Sequence, residues 1–302
     1  MNPTQLSLTY SESAQLLPVL ALTVCSSAER RALLIKGESA NFHGIRTRRT
    51  SADVDVLLDP AHFADAVNAL RAAGWRLKGG DRTLRLRHSD GVTLVNPLWP
   101  QPIDLHRRFT GFTAPDHAVF EALWADRVHI TIAGQPVVSA GAATACLIQA
   151  LHELRDQTSL TRDEFSQAVE WLKAADRDTR SQVVALAQVT GAAITAQPLF
   201  GACNLEILAG SNVSTARARA FRRRTVRGQN FVTVYLAALT SRPFWVWPWL
   251  IVRFVFGRRA SLAVQYPEAT HGMRGLWLAR WHRVRDAIRL LPEAIRLFWR
   301  TR

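Results

Sequence analysis

The chain has 302 residues, 48% of them hydrophobic, and a formal net charge of +14, enough for a substantial core and incompatible with disorder throughout. The charge is unevenly placed: residues 213–302 carry 18 arginines against Glu268, Asp286 and Glu293, an excess of +15, while the rest of the chain carries 20 basic and 21 acidic groups. Cys25, Cys146 and Cys203 lie far apart and are odd in number, which excludes a zinc or redox spacing and suggests a reducing compartment.

The start of the chain, Met1-Asn2-Pro3-Thr4-Gln5, lacks a basic region followed by an apolar run, so no signal peptide and a cytoplasmic location are expected. Residues 12–31 read as an opening helix, 32–36 as a short buried strand closed by Gly37, and 39–44 as a short helix. Arg46, Arg48 and Arg49 belong to a basic, polar loop. A strand is predicted over 52–58, and a helix over 60–73 with Phe63, Val67 and Leu70 at helical spacing and Gly74 at its end. Further strands are expected over 83–87, 92–98, 103–109 and 128–132, with Gly79-Gly80 as a turn. Ser139 opens a helical region, with periodicity over 144–154, 161–174 and 180–187. This order predicts an α+β chain: a mixed-sheet core over 1–138, a helical cap over 139–212, and a basic, Trp-rich, mostly helical region over 213–302.

Aspartate is disfavoured in strands, yet Asp53 and Asp55 sit in one strand-like run and Asp104 in another, Ile103-Asp104-Leu105-His106. Alternation sends Asp53 and Asp55 to one side, about 6.5–7 Å apart along the strand. If Asp104 occupies a neighbouring strand, three carboxylates converge. At about 5 Å and an effective dielectric near 20, each pair repels by roughly 3 kcal/mol. Such a cluster wants a hard divalent cation. The competing reading is a solvated strand face with valines in the core. His88, His106 and His152 lack metal-ligand spacing and read as structural, although His106 is placed to orient the Asp104 carboxylate.

The runs Leu34-Ile35-Lys36-Gly37-Glu38-Ser39, Arg49-Thr50-Ser51-Ala52-Asp53-Val54-Asp55-Val56-Leu57 and Pro102-Ile103-Asp104-Leu105-His106 together resemble the uncharacterised minimal nucleotidyltransferase family of the polymerase-β-like superfamily. The match takes in Gly74-Trp75, His88 and the 147–152 helix, and covers roughly residues 13–210. Here Glu38 separates Gly37 from Ser39, where the superfamily pairs glycine and serine directly. The resemblance implies a mixed β-sheet nucleotidyltransferase core flanked by helices, two Mg²⁺ ions on Asp53, Asp55 and Asp104, and an NTP whose phosphates meet Lys36, Gly37, Ser39 and Arg49. It implies transfer of an NMP group to a hydroxyl-type acceptor, whether peptide, small molecule or RNA. A catalytically silent relative that binds nucleotide or regulates a partner is the alternative. Taken alone, Ser39 also reads as a helix N-cap.

The C-terminal region differs in kind. Residues 243–256 are strongly apolar and contain Trp245, Trp247 and Trp249. A helix of that length spans about 20 Å, short of the roughly 30 Å hydrocarbon layer. Trp277, Trp281, Val284, Ile288, Leu291, Ile295 and Phe298 then recur at helical spacing with arginines between them, and Pro292 is placed to restart the helix. Three readings stay open: a stripe packed on the helical cap, a peripheral membrane anchor, and a platform for an anionic partner such as nucleic acid.

Overall fold

A computed structural model describes residues 8–27, 29–78, 90–155, 162–208, 213–227, 243–256, 266–270 and 272–300, with the single positions 232, 239 and 262. The expected strand over 83–87, the Gly79-Gly80 turn and His88 lie outside the described residues. The chain forms two compact units: residues 1–155 with 161–221, and residues 222–302 with 156–160.

In the first unit, α1 (Tyr10–Cys25) starts at Thr9, whose side chain accepts from the Glu12 N–H while the Glu12 carboxylate accepts from the Thr9 N–H. This reciprocal cap satisfies two otherwise unpaired donors. Strand β1 (Ala32–Ile35) leads into the short helix α2 (Gly37–Phe42). Next come β2 (Val54–Leu58), α3 (Phe63–Ala72), β3 (Arg76–Leu77), β4 (Gly91–Val95) and β5 (Ile103–His106). Helix α4 (Asp116–Ala125) precedes the hairpin of β6 (Val128–Ile132) and β7 (Gln135–Ser139). The helices α5 (Ala142–Arg155), α6 (Arg162–Ala174), α7 (Arg177–Val189) and α8 (Gln197–Ala202) follow, and α9 (Thr215–Arg227) runs across the boundary at residue 221.

The seven strands form one mixed sheet in the order β3-β4-β5-β2-β1-β7-β6. β1 runs antiparallel to β2 and parallel to β7, and β2 runs parallel to β5. This is the α+β architecture expected, a mixed sheet flanked by helices and followed by a helical C-terminal region. Alternation decides which side chains meet which layer. Leu34, Val56, Leu58, Ile103 and Leu105 enter one core with Leu17 of α1 and Phe63, Val67 and Leu70 of α3. Leu33, Ile35 and Leu57 enter the other, with Ala143, Leu147 and Leu151 of α5. Asp55, Asp104 and His106 take the alternate places on β2 and β5, and therefore belong to the α5 side.

Helix α5 is buried along most of its length, which its alanines permit. Its start is fixed by Asp126, whose Oδ2 accepts from the Thr144 N–H at 2.8 Å. Gly141 lets that junction close, since a Cβ there would stand 1.8 Å from the Asp126 carbonyl oxygen. The sequence suggests Ser139 as the start of the helical region, whereas it is the last residue of β7, paired with Leu34 of β1.

In the second unit, a 3₁₀ turn (Phe244–Val246) runs into α10 (Trp247–Val255), and a second 3₁₀ turn (Pro267–Thr270) precedes α11 (Gly272–Arg300). Leu262, Tyr266, Ala269, Leu276 and Ala279 form its small core, flanked by a Tyr266 hydroxyl bond to Asp286 and a His282–Glu268 contact at 2.6 Å. Pro292 does not restart a helix: α11 is continuous through it. The carbonyl it leaves unserved is that of Ile288, a residue 66% exposed, where water can replace the missing donor. Among the described residues, no helix is long and apolar enough to cross a membrane.

Candidate active site

The parallel register of β2 and β5 sets Asp55 directly beside Asp104, and Leu57 beside His106. Opposite residues on neighbouring strands project to the same face, so the Asp104 carboxylate and His106 ring face Asp55 together. One ligand atom from each of Asp55, Asp104 and His106 lies within 4.8 Å of the others. Asp53, two residues before Asp55 and just ahead of β2, feels the charges of Asp55, Lys36, Asp104 and His106. The structure thus brings Asp55 and Asp104 together with His106, and sets Asp53 beside them within reach of their charges.

Asp55 is the hub. It is 3% exposed, and its Oδ1 accepts from Lys36 Nζ at 2.6 Å and meets His106 Nε2 at 2.7 Å. An ionised carboxylate only accepts, so Nε2 carries the proton in that contact. Burial alone would raise the Asp55 pKa. The His106 hydrogen bond and the Lys36 charge outweigh it and bring the value to about 2. Asp53 goes the other way: burial first, then the neighbouring Asp55 charge, raises its pKa from the ordinary aspartate value. Two acids two residues apart therefore hold protons with different strength.

Asp104 presents the clearest sign of a missing partner. Its Oδ1 is buried and, among the described residues, accepts no hydrogen bond, a costly state for a carboxylate oxygen. A hard cation would satisfy it, and a donor set rich in carboxylate oxygens suits Mg²⁺. The residues present fit the ion.

The remaining candidates divide. Lys36 is at the site, and its backbone at φ 57° lies in a region that costs a non-glycine residue about 1–3 kcal/mol. Gly37, Glu38, Ser51, Asp53 and Asp55 line a common crevice of about 10 Å³, the room of roughly one water or ion. Gly37 has no spare space: a Cβ there would stand 2.5 Å from Ser51 Oγ. Ser39 is fully buried and its hydroxyl donates to the Ala140 carbonyl at 3.2 Å. Arg49 reaches α6, donating from Nε to Glu164 Oε1 at 2.7 Å.

Two residues are more central than the sequence suggested. His106, read there as structural or as orienting Asp104, bonds Asp55; the signal was the Asp104-Leu105-His106 alternation, which puts acid and imidazole on one face. Arg46, read as part of a solvated loop, is 8% exposed. It donates to Asn41 Oδ1 and to Ser51 Oγ, each at 3.0 Å. Burial, then the Arg49 charge, lowers its pKa, against the acids Glu164, Glu38 and Asp53. Nothing in the loop sequence distinguishes it from Arg48.

Two solved structures are distantly similar to the chain. A solution structure of the antibiotic-resistance factor ANT(2'')-Ia is similar over 59% of this chain and 92% of its own, at 12% identity and a TM-score of 0.39. An antigenic nucleotidyltransferase-like protein from Paracoccidioides brasiliensis is similar over 67% of this chain and 96% of its own, at 14% identity and a TM-score of 0.35. No curated protein matches the chain. The model of a family described as uncharacterised nucleotidyltransferases matches residues 25–197, a span that contains β1, β2, β5, α5 and every acid of the cluster. On that match, the chain belongs to the uncharacterised nucleotidyltransferase family.

Proposed function

We propose that this protein transfers an NMP group from an NTP to a hydroxyl-type acceptor with the help of two Mg²⁺ ions held by Asp53, Asp55 and Asp104. The observation that carries this reading is the buried, unpartnered Asp104 Oδ1 beside Asp55 and His106. Mg²⁺ bound there would offset the negative charge of the triphosphate and acidify the acceptor hydroxyl.

The chain's own residues have separate tasks. Asp55, with a pKa of about 2, is a carboxylate at any physiological pH. His106 fixes its orientation. Lys36 and Arg49 supply positive charge to the triphosphate, and Gly37 provides the close-packed turn against which it lies, while buried Ser39 braces that turn through Ala140. The Asp104 carboxylate would help take the proton of the acceptor hydroxyl as the acceptor oxygen bonds to the α-phosphorus. The bond from the α-phosphorus to the β-phosphate bridge breaks, and pyrophosphate leaves with that electron pair.

The test pairs the wild-type protein with Asp53→Ala/Asp55→Ala, each incubated with labelled NTP, Mg²⁺ and pools of peptide, small-molecule and RNA acceptors. Label transfer and pyrophosphate release from the wild type alone, abolished by chelator, support the proposal. Equal release from both proteins overturns it. Nucleotide binding by calorimetry with no turnover in any pool replaces it with the silent, nucleotide-binding reading.

A further inference from the structure

The second unit carries an outward apolar surface that the nucleotidyl-transfer reading does not use. Trp245, Trp249, Val252 and Phe256 follow one another at spacings of four, three and four, one stripe of a helical surface. They are 68%, 56%, 55% and 50% exposed. On α11, Met273, Trp277, Trp281, Ile288 and Ile295 form a second stripe that is also exposed. The stripes meet where the Phe256 and Trp277 rings stand edge to face, 6.1 Å apart. Burying such side chains in the protein would be the ordinary outcome. Here they face outward.

The surface also opens inward. A cavity of about 270 Å³ lies between α10 and α11, with Leu250, Phe254, Val284 and Ala287 in its wall. Ile251 and Ile288 line it and are themselves exposed, so the cavity is continuous with the apolar face.

Charge identifies what covers this face. Residues 222–302 hold 16 arginines against three acids, an excess of +13. On α11, the exposed residues Arg274, Arg285, Arg289 and Arg296 each directly follow a member of the stripe line, which turns them about 100° round the helix. Guanidinium groups thus run along one border of the apolar stripe. Arg280, on the other flank, lies 5.0 Å over the Trp277 ring and 5.1 Å over the Phe256 ring. A protein partner's core would leave so many cations unmatched. Nucleic acid would want basic groups interleaved with the aromatic ones for stacking beside phosphates, whereas here, Arg280 apart, the exposed arginines of α11 stand along the edge of the apolar stripe. Long cationic side chains beside an apolar stripe can lay their stems on it and hold their heads at a charged plane.

We propose that α10 and α11 form an interfacial docking surface for an anionic lipid bilayer, in which the two stripes enter the headgroup–acyl boundary and the bordering arginines contact lipid phosphates. The surface lies on the membrane and does not span it. The proposal stands independently of the catalytic one.

The experiment uses the full chain and phosphatidylcholine vesicles with and without phosphatidylglycerol. Two exposed-site variants accompany it, Trp245→Ser/Trp249→Ser/Trp281→Ser and Arg285→Glu/Arg289→Glu, each checked for wild-type circular dichroism. The expected result is sedimentation with anionic vesicles only, a blue shift of tryptophan emission, and quenching by brominated acyl chains. Each variant is expected to weaken partitioning by about tenfold or more. Absence of sedimentation overturns the proposal. So does equal binding to neutral vesicles, binding unchanged in both variants, or full displacement by RNA. A stable dimer that covers the face and ignores vesicles overturns it as well.

Discussion

Replacing Asp104 by asparagine separates a metal-binding acid from a structural one. The Asp55 and Asp104 donor atoms lie within 4.8 Å of one another, and at an effective dielectric near 20 two full charges at that limit repel by about 3.5 kcal/mol. Lys36 at 2.6 Å from Asp55 Oδ1 cancels much of this, which leaves roughly 1 kcal/mol to recover. Asp104→Asn should therefore raise the melting temperature of the metal-free protein by about 2–4 °C, the usual response of a domain of this size to 1 kcal/mol. The same change should remove the stabilisation produced by Mg²⁺ with a non-hydrolysable NTP analogue, about 2.7 kcal/mol for the wild type at a hundredfold excess over Kd. Activity should fall with it. Thermal unfolding followed by circular dichroism, with and without these ligands, reads all the stability terms. A variant that melts below the wild type without metal, or keeps the full Mg²⁺ response, would refute the reasoning.

Gly37→Ala should destabilise the first unit by roughly 1–3 kcal/mol, because Ser51 must move and release its bond from Arg46; a denaturant midpoint unchanged from wild type would count against this packing. Of the three thiols, Cys203 should be alkylated first in the native protein, since Cys25 is buried with its pKa pushed up to about 12 and Cys146 is raised further by burial. Mass mapping of labelled peptides checks this, and rapid native labelling of Cys146 would contradict it. The Asp59 pKa is lowered, as burial is outweighed by the hydrogen bond and charge of Arg31. Its contribution is thus fully present above the unfolded value of about 3.9 and is lost as pH falls through the lower folded value. Asp59→Asn should be less stable than wild type at neutral pH, with the difference shrinking in acid; a pH-independent difference would argue against the pair.

Much of the first unit is legible in the sequence because its strands obey a simple alternation. Val54, Val56 and Leu58 on one side, and Asp53 and Asp55 on the other, mark β2 by their spacing alone, and Ile103 and Leu105 do the same for β5. The hairpin of β6 and β7 is only half visible. Its two-residue loop is Ala133-Gly134, with φ of 49° and 74°, and alanine is not a residue that signals such a turn. Pro136 further disguises β7; it is tolerated because β7 pairs with β1 only at Ser139. Helix α4 also escapes a reading by residue pattern. The roles of Ser39, Arg46 and Arg49 depend on Ala140, Ser51 and Glu164, partners set by tertiary packing, so no local pattern announces them.

Lys36 has a consequence for how the site fills. Its ammonium already balances Asp55 in the resting protein, so an arriving divalent ion competes with a resident cation instead of entering a vacant anionic pit. A triphosphate offers that ammonium somewhere else to go. Nucleotide and metal should then promote each other's arrival, by equal factors in each direction, and free metal in the absence of substrate should find a reluctant host.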